Sequence, residues 1–148
     1  MTNTPIARLV QTHKAIAHPV RLRLLAMLRD GPLRVCQMTV IVNLAASTVS
    51  EHLSELRRVG LIVERKEGRW VEYRLPDSPE SSSVLETLWL ALDGDAAVRA
   101  DAVLTKELRR VPVDELCNAN LDLSRISRPK LTAAVTRAAR IRASGAVS

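Results

Sequence analysis

Cys36 and Cys117 are the two thiols of this chain, and His13, His18 and His52 are its three imidazoles. Two cysteines are too few for a disulfide framework, and in a reducing compartment they read as free thiols, metal ligands or redox switches. Cys36 falls at the start of a short helix beside Arg34, a setting expected to lower a thiol pKa and raise the thiolate fraction. Thiolates are the ligands that soft metal and metalloid ions select. Cys117 lies far away in sequence and could join Cys36 from the same or a partner protomer. The plain alternative is that each is a small apolar side chain. The histidines have no zinc-type spacing. No Gly-rich phosphate loop, catalytic carboxylate pair or nucleophile with a nearby base can be read, so an enzyme is not expected.

The elements that must hold these groups centre on Val35 to Leu75. Met38, Ile41 and Val42 form the inner face of a short helix, Asn43 to Ala45 break it, and a second helix runs from Ala46 or Ser47 to Val59. Val49, Leu53 and Leu56 lie on one stripe of that second helix. Its other face carries Ser47, Ser50, Glu51, Ser54 and Arg58. Gly60 suits the position just past the helix end. Leu61–Lys66 and Trp70–Leu75 then read as strands joined at Glu67-Gly68-Arg69, with Val71, Tyr73 and Leu75 alternating against Glu72 and Arg74. The expected fold is mainly α with a small β-hairpin, a winged helix-turn-helix. Its second helix fits a major groove, where small polar side chains let the backbone approach base edges. Arg65, Lys66 and Arg69 at the hairpin tip can reach phosphates. A helical bundle with an edge hairpin explains the apolar stripe but not the basic cluster at that tip.

Around this centre, Ile6, Leu9, Val10, Ala15 and Ile16 fit a first helix over Pro5–Ala17, and Pro19 starts the next. Leu22, Leu24, Leu25, Ala26 and Leu28 give that helix a wide core face, and Asp30-Gly31-Pro32 stops it. Pro76 to Ser83 reads as a linker. Val84, Leu85, Leu88 and Leu92 make a further stripe with Trp89 beside it, and Asp95–Val111 another helix with Ala97, Leu104 and Leu108 inward. Val113–Asn120 reads as a turn or short helix. The net charge of +6 is placed entirely at the end: after Asp122 there is no acid, while Arg125, Arg128, Lys130, Arg137, Arg140 and Arg142 are basic. That composition reads as a flexible segment, with a weak helix after Pro129, that orders when something acidic meets it. The expected organisation is 1–93 for DNA binding and dimerisation, 94–122 for a helical extension, and 123–148 for a flexible basic tail. No run is long and apolar enough for a membrane span and the start is unlike a signal peptide, so the expected location is the cytoplasm.

Three stretches carry a resemblance. Ala17-His18-Pro19-Val20-Arg21-Leu22-Arg23-Leu24-Leu25 resembles an A-D-P-T-R-L-R-I-L helix entry. Ser47-Thr48-Val49-Ser50-Glu51-His52-Leu53 resembles a P-T-V-S-R-H-L recognition helix, and Gly68-Arg69-Trp70-Val71-Glu72-Tyr73-Arg74-Leu75 is similar to a G-R-W-V-Y-Y-R-L wing. These are motifs of the ArsR/SmtB-type metal- and metalloid-responsive repressors, and the resemblance covers roughly residues 5 to 92. It implies a homodimer through the first helix and the helix after the wing, bound to double-stranded operator DNA. It adds Thr48 and His52 to the DNA-facing set, His52 in a structural or phosphate-contact role. Glu51 stands where Arg or Lys is common and can accept from a cytosine amino group. Cys36 matches the second cysteine of a C-V-C motif in arsenic-responsive members, with Arg34 in place of the first. The resemblance therefore implies release by trivalent arsenic, inorganic or methylated, with no cofactor required. A third arsenic ligand would be water, an external thiol or a substituent already on the arsenic. The zinc and nickel sites of the family use histidines after the wing, and Ser81 to Arg110 contains none. Two other readings remain: a repressor switched by a disulfide or polysulfide link between Cys36 and Cys117, and an interaction module whose basic tail docks acidic partners.

Overall fold

Four helices begin at residues whose side chains close the first turn. Thr4 Oγ1 accepts from the Ala7 amide, His18 Nδ1 from Val20, Ser78 Oγ from Ser81 and Asp95 Oδ1 from Val98. Each satisfies an amide that the helix leaves unpaired. Proline follows directly at Pro5, Pro19 and Pro79, where the missing N–H costs nothing. These caps start α1 (Pro5–Ile16), α2 (Pro19–Met27), α5 (Pro79–Leu92) and α6 (Ala96–Leu108) in a computed structural model that describes residues 3–145. The linker expected to reach Ser83 therefore ends at Ser78, because Ser78 and Pro79 together make a stronger helix start than the serines that follow.

Between them lie β1 (Leu33–Arg34), α3 (Val35–Val42), α4 (Ala46–Arg58), β2 (Val63–Glu67) and β3 (Trp70–Arg74). The sheet has three antiparallel strands in the order β1-β3-β2, with Leu33 opposite Tyr73 and Arg65 opposite Glu72. β1 has two residues, too short to show a period in sequence. Leu61 and Ile62, expected in the first hairpin strand, instead lie ahead of it, both buried. Asn43, in the left-handed region at φ 55°, closes α3, and Gly60 at φ 78° does the same service beyond α4. Val49, Leu53 and Leu56 of α4 meet Leu24, Leu25, Met38 and Ile41 in one apolar core.

The remaining elements are α7 (Val113–Asn118) and α8 (Pro129–Gly145). The tail from residue 123, expected to be flexible with a weak helix after Pro129, has α8 as its larger part, and this helix packs along α6 and buries Leu131, Ala134 and Ala138. Their spacing is a narrow helical stripe of mostly small side chains, which lets the helices approach closely. The tail's lack of acids is offset from elsewhere in the chain. Arg142 pairs with Asp101 of α6 at 3.0 Å, and Arg128 makes a double hydrogen bond to Glu115 of α7 at 3.1 and 2.7 Å. Arg109 donates to the carbonyls of Met27 and Gly31, tying the end of α6 to the end of α2. Among the described residues α1 leaves apolar side chains uncovered, Ile6 at 78% exposure with Leu9 and Val10 also exposed, and Leu90 of α5 is exposed as well.

Candidate nucleic-acid interface and thiol pair

α4 presents the polar face that its sequence promised. Ser47, Ser50, Glu51 and Ser54 are exposed and Thr48 is half-buried, while Val49, Leu53 and Leu56 anchor the opposite side at 0% exposure. Ala45 offers no side-chain cap, so the first-turn amides of α4 have no side-chain acceptor from their own helix start.

One expected member of this face, Arg58, is turned elsewhere, and His52, expected in a structural or phosphate-contact role, packs inward at its edge. His52 Nδ1 accepts from Arg21 Nε at 3.1 Å, and its ring lies 4.4 Å from that of His18, the cap of α2. Burial, followed by the charges of His18 and Arg21, pushes its pKa below the ordinary histidine value. The structure thus gives His52 an internal role in seating α4 on α2. Arg58 lies about three helical turns from Ser47. It pairs with Glu55 at 2.8 Å and reaches Gln11 of α1 at 3.5 Å, so it faces α1 rather than the exposed start of α4. Its hydrogen bonds and charge hold the Glu55 carboxyl below the usual range.

The hairpin is stiffened by contacts that alternation in sequence does not reveal. Glu64 accepts from Arg57 of α4 and from the Tyr73 hydroxyl, joining the recognition helix to both strands. The Arg34 and Arg69 guanidinium groups lie 5.8 and 5.3 Å from the Trp70 ring centroid, within cation–π range. Arg69 also lies 3.6 Å from Asp114 of α7, and Arg65 lies 3.6 Å from Glu67. Both pairs are open to solvent and weak. Lys66 is exposed and makes no ion pair among the described residues.

Cys36 sits in the first turn of α3, and Cys117 comes to it on α7, which packs against α3. Both thiols are free and half-buried. The lowered pKa expected for Cys36 is corrected: burial raises it, and neighbouring Cys117 raises it further. Arg34, expected to favour the thiolate, directs its guanidinium to Trp70 and, at 3.9 Å, to Glu67. No group of three or more Cys, His, Asp or Glu that could hold a metal ion occurs among the described residues. Two sulfurs therefore fit two of the three bonds that trivalent arsenic forms, and a trithiolate set is not available within the chain.

An apolar-stripe helix with an open polar face, followed by a basic hairpin, defines a winged helix-turn-helix DNA-binding regulator. The pattern of bacterial regulatory proteins of the arsR family matches residues 18–63. The CmtR regulator of Mycobacterium tuberculosis is 38% identical over 109 residues, which span 72% of this chain and 90% of that protein. The arsenic resistance regulator ArsR1 of Pseudomonas putida is 39% identical over 69 residues, 45% of this chain and 54% of the relative. Among solved structures, HlyU from Vibrio cholerae superposes with a TM-score of 0.54 at 37% identity, covering 61% of this chain and 97% of that one. The chain belongs to the ArsR family of transcriptional regulators. These relatives act on transcription through DNA and are not enzymes. Among the described residues, no helix is long and apolar enough to cross a membrane.

Proposed function

We propose that this chain is a homodimeric cytoplasmic repressor that leaves its operator when Cys36 and Cys117 bind trivalent arsenic, inorganic or organic. The observation that carries this reading is the meeting of the two cysteines between α3 and α7. α3 leads through the short turn at Asn43 into α4, so a ligand bridging Cys36 to α7 acts on the helix that positions the recognition helix. Ser47, Thr48, Ser50, Glu51 and Ser54 face the major groove in this reading, and Lys66, Arg65 and Arg69 lie along phosphates. Arg69 must leave Asp114 to do so, at little cost for an exposed pair. The exposed apolar residues of α1 supply the dimer contact, beside a cleft of about 730 Å³ lined by Leu9, Leu61, Val84 and Arg58. Couplings of roughly 1–3 kcal/mol would weaken DNA binding about 5- to 150-fold.

The same pair of adjacent thiols also favours a second reading, a disulfide switch. A titration of the operator complex under strict reduction separates the two. Trivalent arsenic should release DNA without oxidant, whereas a disulfide switch responds only once oxidant is added. A complex that survives excess inorganic and organic trivalent arsenic would remove the first reading.

A further inference from the structure

We infer that the Cys36–Cys117 pair is built for trivalent arsenic that already carries one carbon substituent, in preference to inorganic arsenite. This inference rests on the arsenic reading above and sharpens it. The chain holds two cysteines, and the described residues bring no third cysteine, histidine or carboxylate to the pair. A monosubstituted arsenous acid, R–As(OH)2, has two exchangeable positions. Its reaction with two thiols breaks two As–O bonds, forms two As–S bonds and releases two waters, which carry off both thiol protons. Arsenic stays trivalent and no co-reactant is consumed.

Competition with small thiols decides between the two forms. Inorganic arsenic in excess monothiol holds three As–S bonds. Moving it to this site either sacrifices one of them or keeps a bulky small thiol at a half-buried position between α3 and α7. The monosubstituted species holds two As–S bonds in monothiol and remakes both on the protein. It also gains from two thiols held ready on packed helices. The third position then carries carbon, which suits a site where Cys36 packs against the apolar core and where Leu116, next to Cys117, is 1% exposed. A retained hydroxyl there would need a hydrogen-bond partner.

The test uses the full chain on labelled operator DNA, anaerobic, with excess reduced glutathione. The probes are arsenite, phenylarsenous acid and dimethylarsinous acid, read by anisotropy and by intact-protein mass. Phenylarsenous acid should release DNA at a concentration at least about 10-fold below arsenite. The protein mass should rise by one phenylarsenic group less two hydrogens per protomer. Cys36→Ser and Cys117→Ser should each lose this adduct, and the wild-type mass measurement stands even if a variant folds poorly. Arsenite acting as strongly as the phenyl compound overturns the preference while leaving the arsenic reading in place. Equal action by dimethylarsinous acid, which has one exchangeable position, overturns the two-thiol site. The absence of both release and adduct with all three overturns both readings. An adduct without release supports the site's preference and removes its role as inducer site.

Discussion

Arg23 of α2 reaches Asp101 of α6 through two hydrogen bonds, Nε to Oδ2 at 2.8 Å and Nη2 to Oδ1 at 2.9 Å, although 78 positions separate them. Asp101 is 1% exposed and also receives Arg142 from α8, so one buried carboxylate fastens the winged core to α6 and α8. The hydrogen bonds and charge of Asp101 raise the Arg23 pKa against the opposing effect of burial. Removing one partner of such a pair strands the other's charge. Asp101→Ala should therefore cost about 3 kcal/mol in urea unfolding. A loss below about 0.5 kcal/mol, the scale of an ordinary surface change, would mean the C-terminal helices are not docked this way.

The exposed face of α4 separates DNA binding from folding. Ser50→Tyr should weaken operator binding by at least about 100-fold, because a bulky ring holds the helix away from base edges. Its unfolding free energy should stay within about 0.5 kcal/mol of wild type, since Ser50 is exposed. Normal operator binding by this variant would place the groove-facing side elsewhere.

Lys66 reports on the wing by its salt dependence. Lys66→Ala should lower affinity for all sequences alike and reduce the slope of log K against log salt by about one. An unchanged slope between 50 and 200 mM salt, taken as approximate working limits, would show that the wing does not meet phosphates.

The uncovered residues of α1 predict assembly. Ile6 is 78% and Leu9 56% exposed among the described residues, so Leu9→Asp should shift the protein toward monomer in sedimentation at micromolar concentration. A wild-type monomer under those conditions would remove the dimer from the proposed function.

His52 should make stability fall on mild acidification. Its Nδ1 must remain unprotonated to accept from Arg21, and His18, Arg21 and Glu51 are the charged or titratable neighbours that act on it. The first two lower its pKa and Glu51 raises it, with burial the largest cause and the net direction downward. The unfolded chain thus takes the proton first, near the ordinary value of about 6.5, and stability is lost as pH falls from there through the lower folded value. Above pH 7 the contribution is flat. His52→Gln, which keeps an acceptor without titrating, should reduce the difference between urea unfolding at about pH 7.5 and about pH 5.5. The Glu55 and Glu115 carboxyls are held low by Arg58 and Arg128 and titrate below this window.

Local order was legible in the chain alone. The stripe of Val49, Leu53 and Leu56, the Pro19 and Gly60 signals and the alternation after Gly68 depend on neighbours within a few residues, and those neighbours are the ones the elements use. The polar face of α4 follows from the same period. Partner choice across the molecule did not follow. Nothing in the spacing around Cys36 shows that Cys117 will stand beside it, or that burial will raise its pKa while Arg34 turns to Trp70. The acid-free stretch after Asp122 read as a flexible tail with only a weak helix after Pro129, because its balancing carboxylates, Asp101 and Glu115, belong to α6 and α7. Helical period and turn chemistry are short-range properties of the backbone. Burial, charge pairing and the meeting of two thiols exist only once distant segments have packed together.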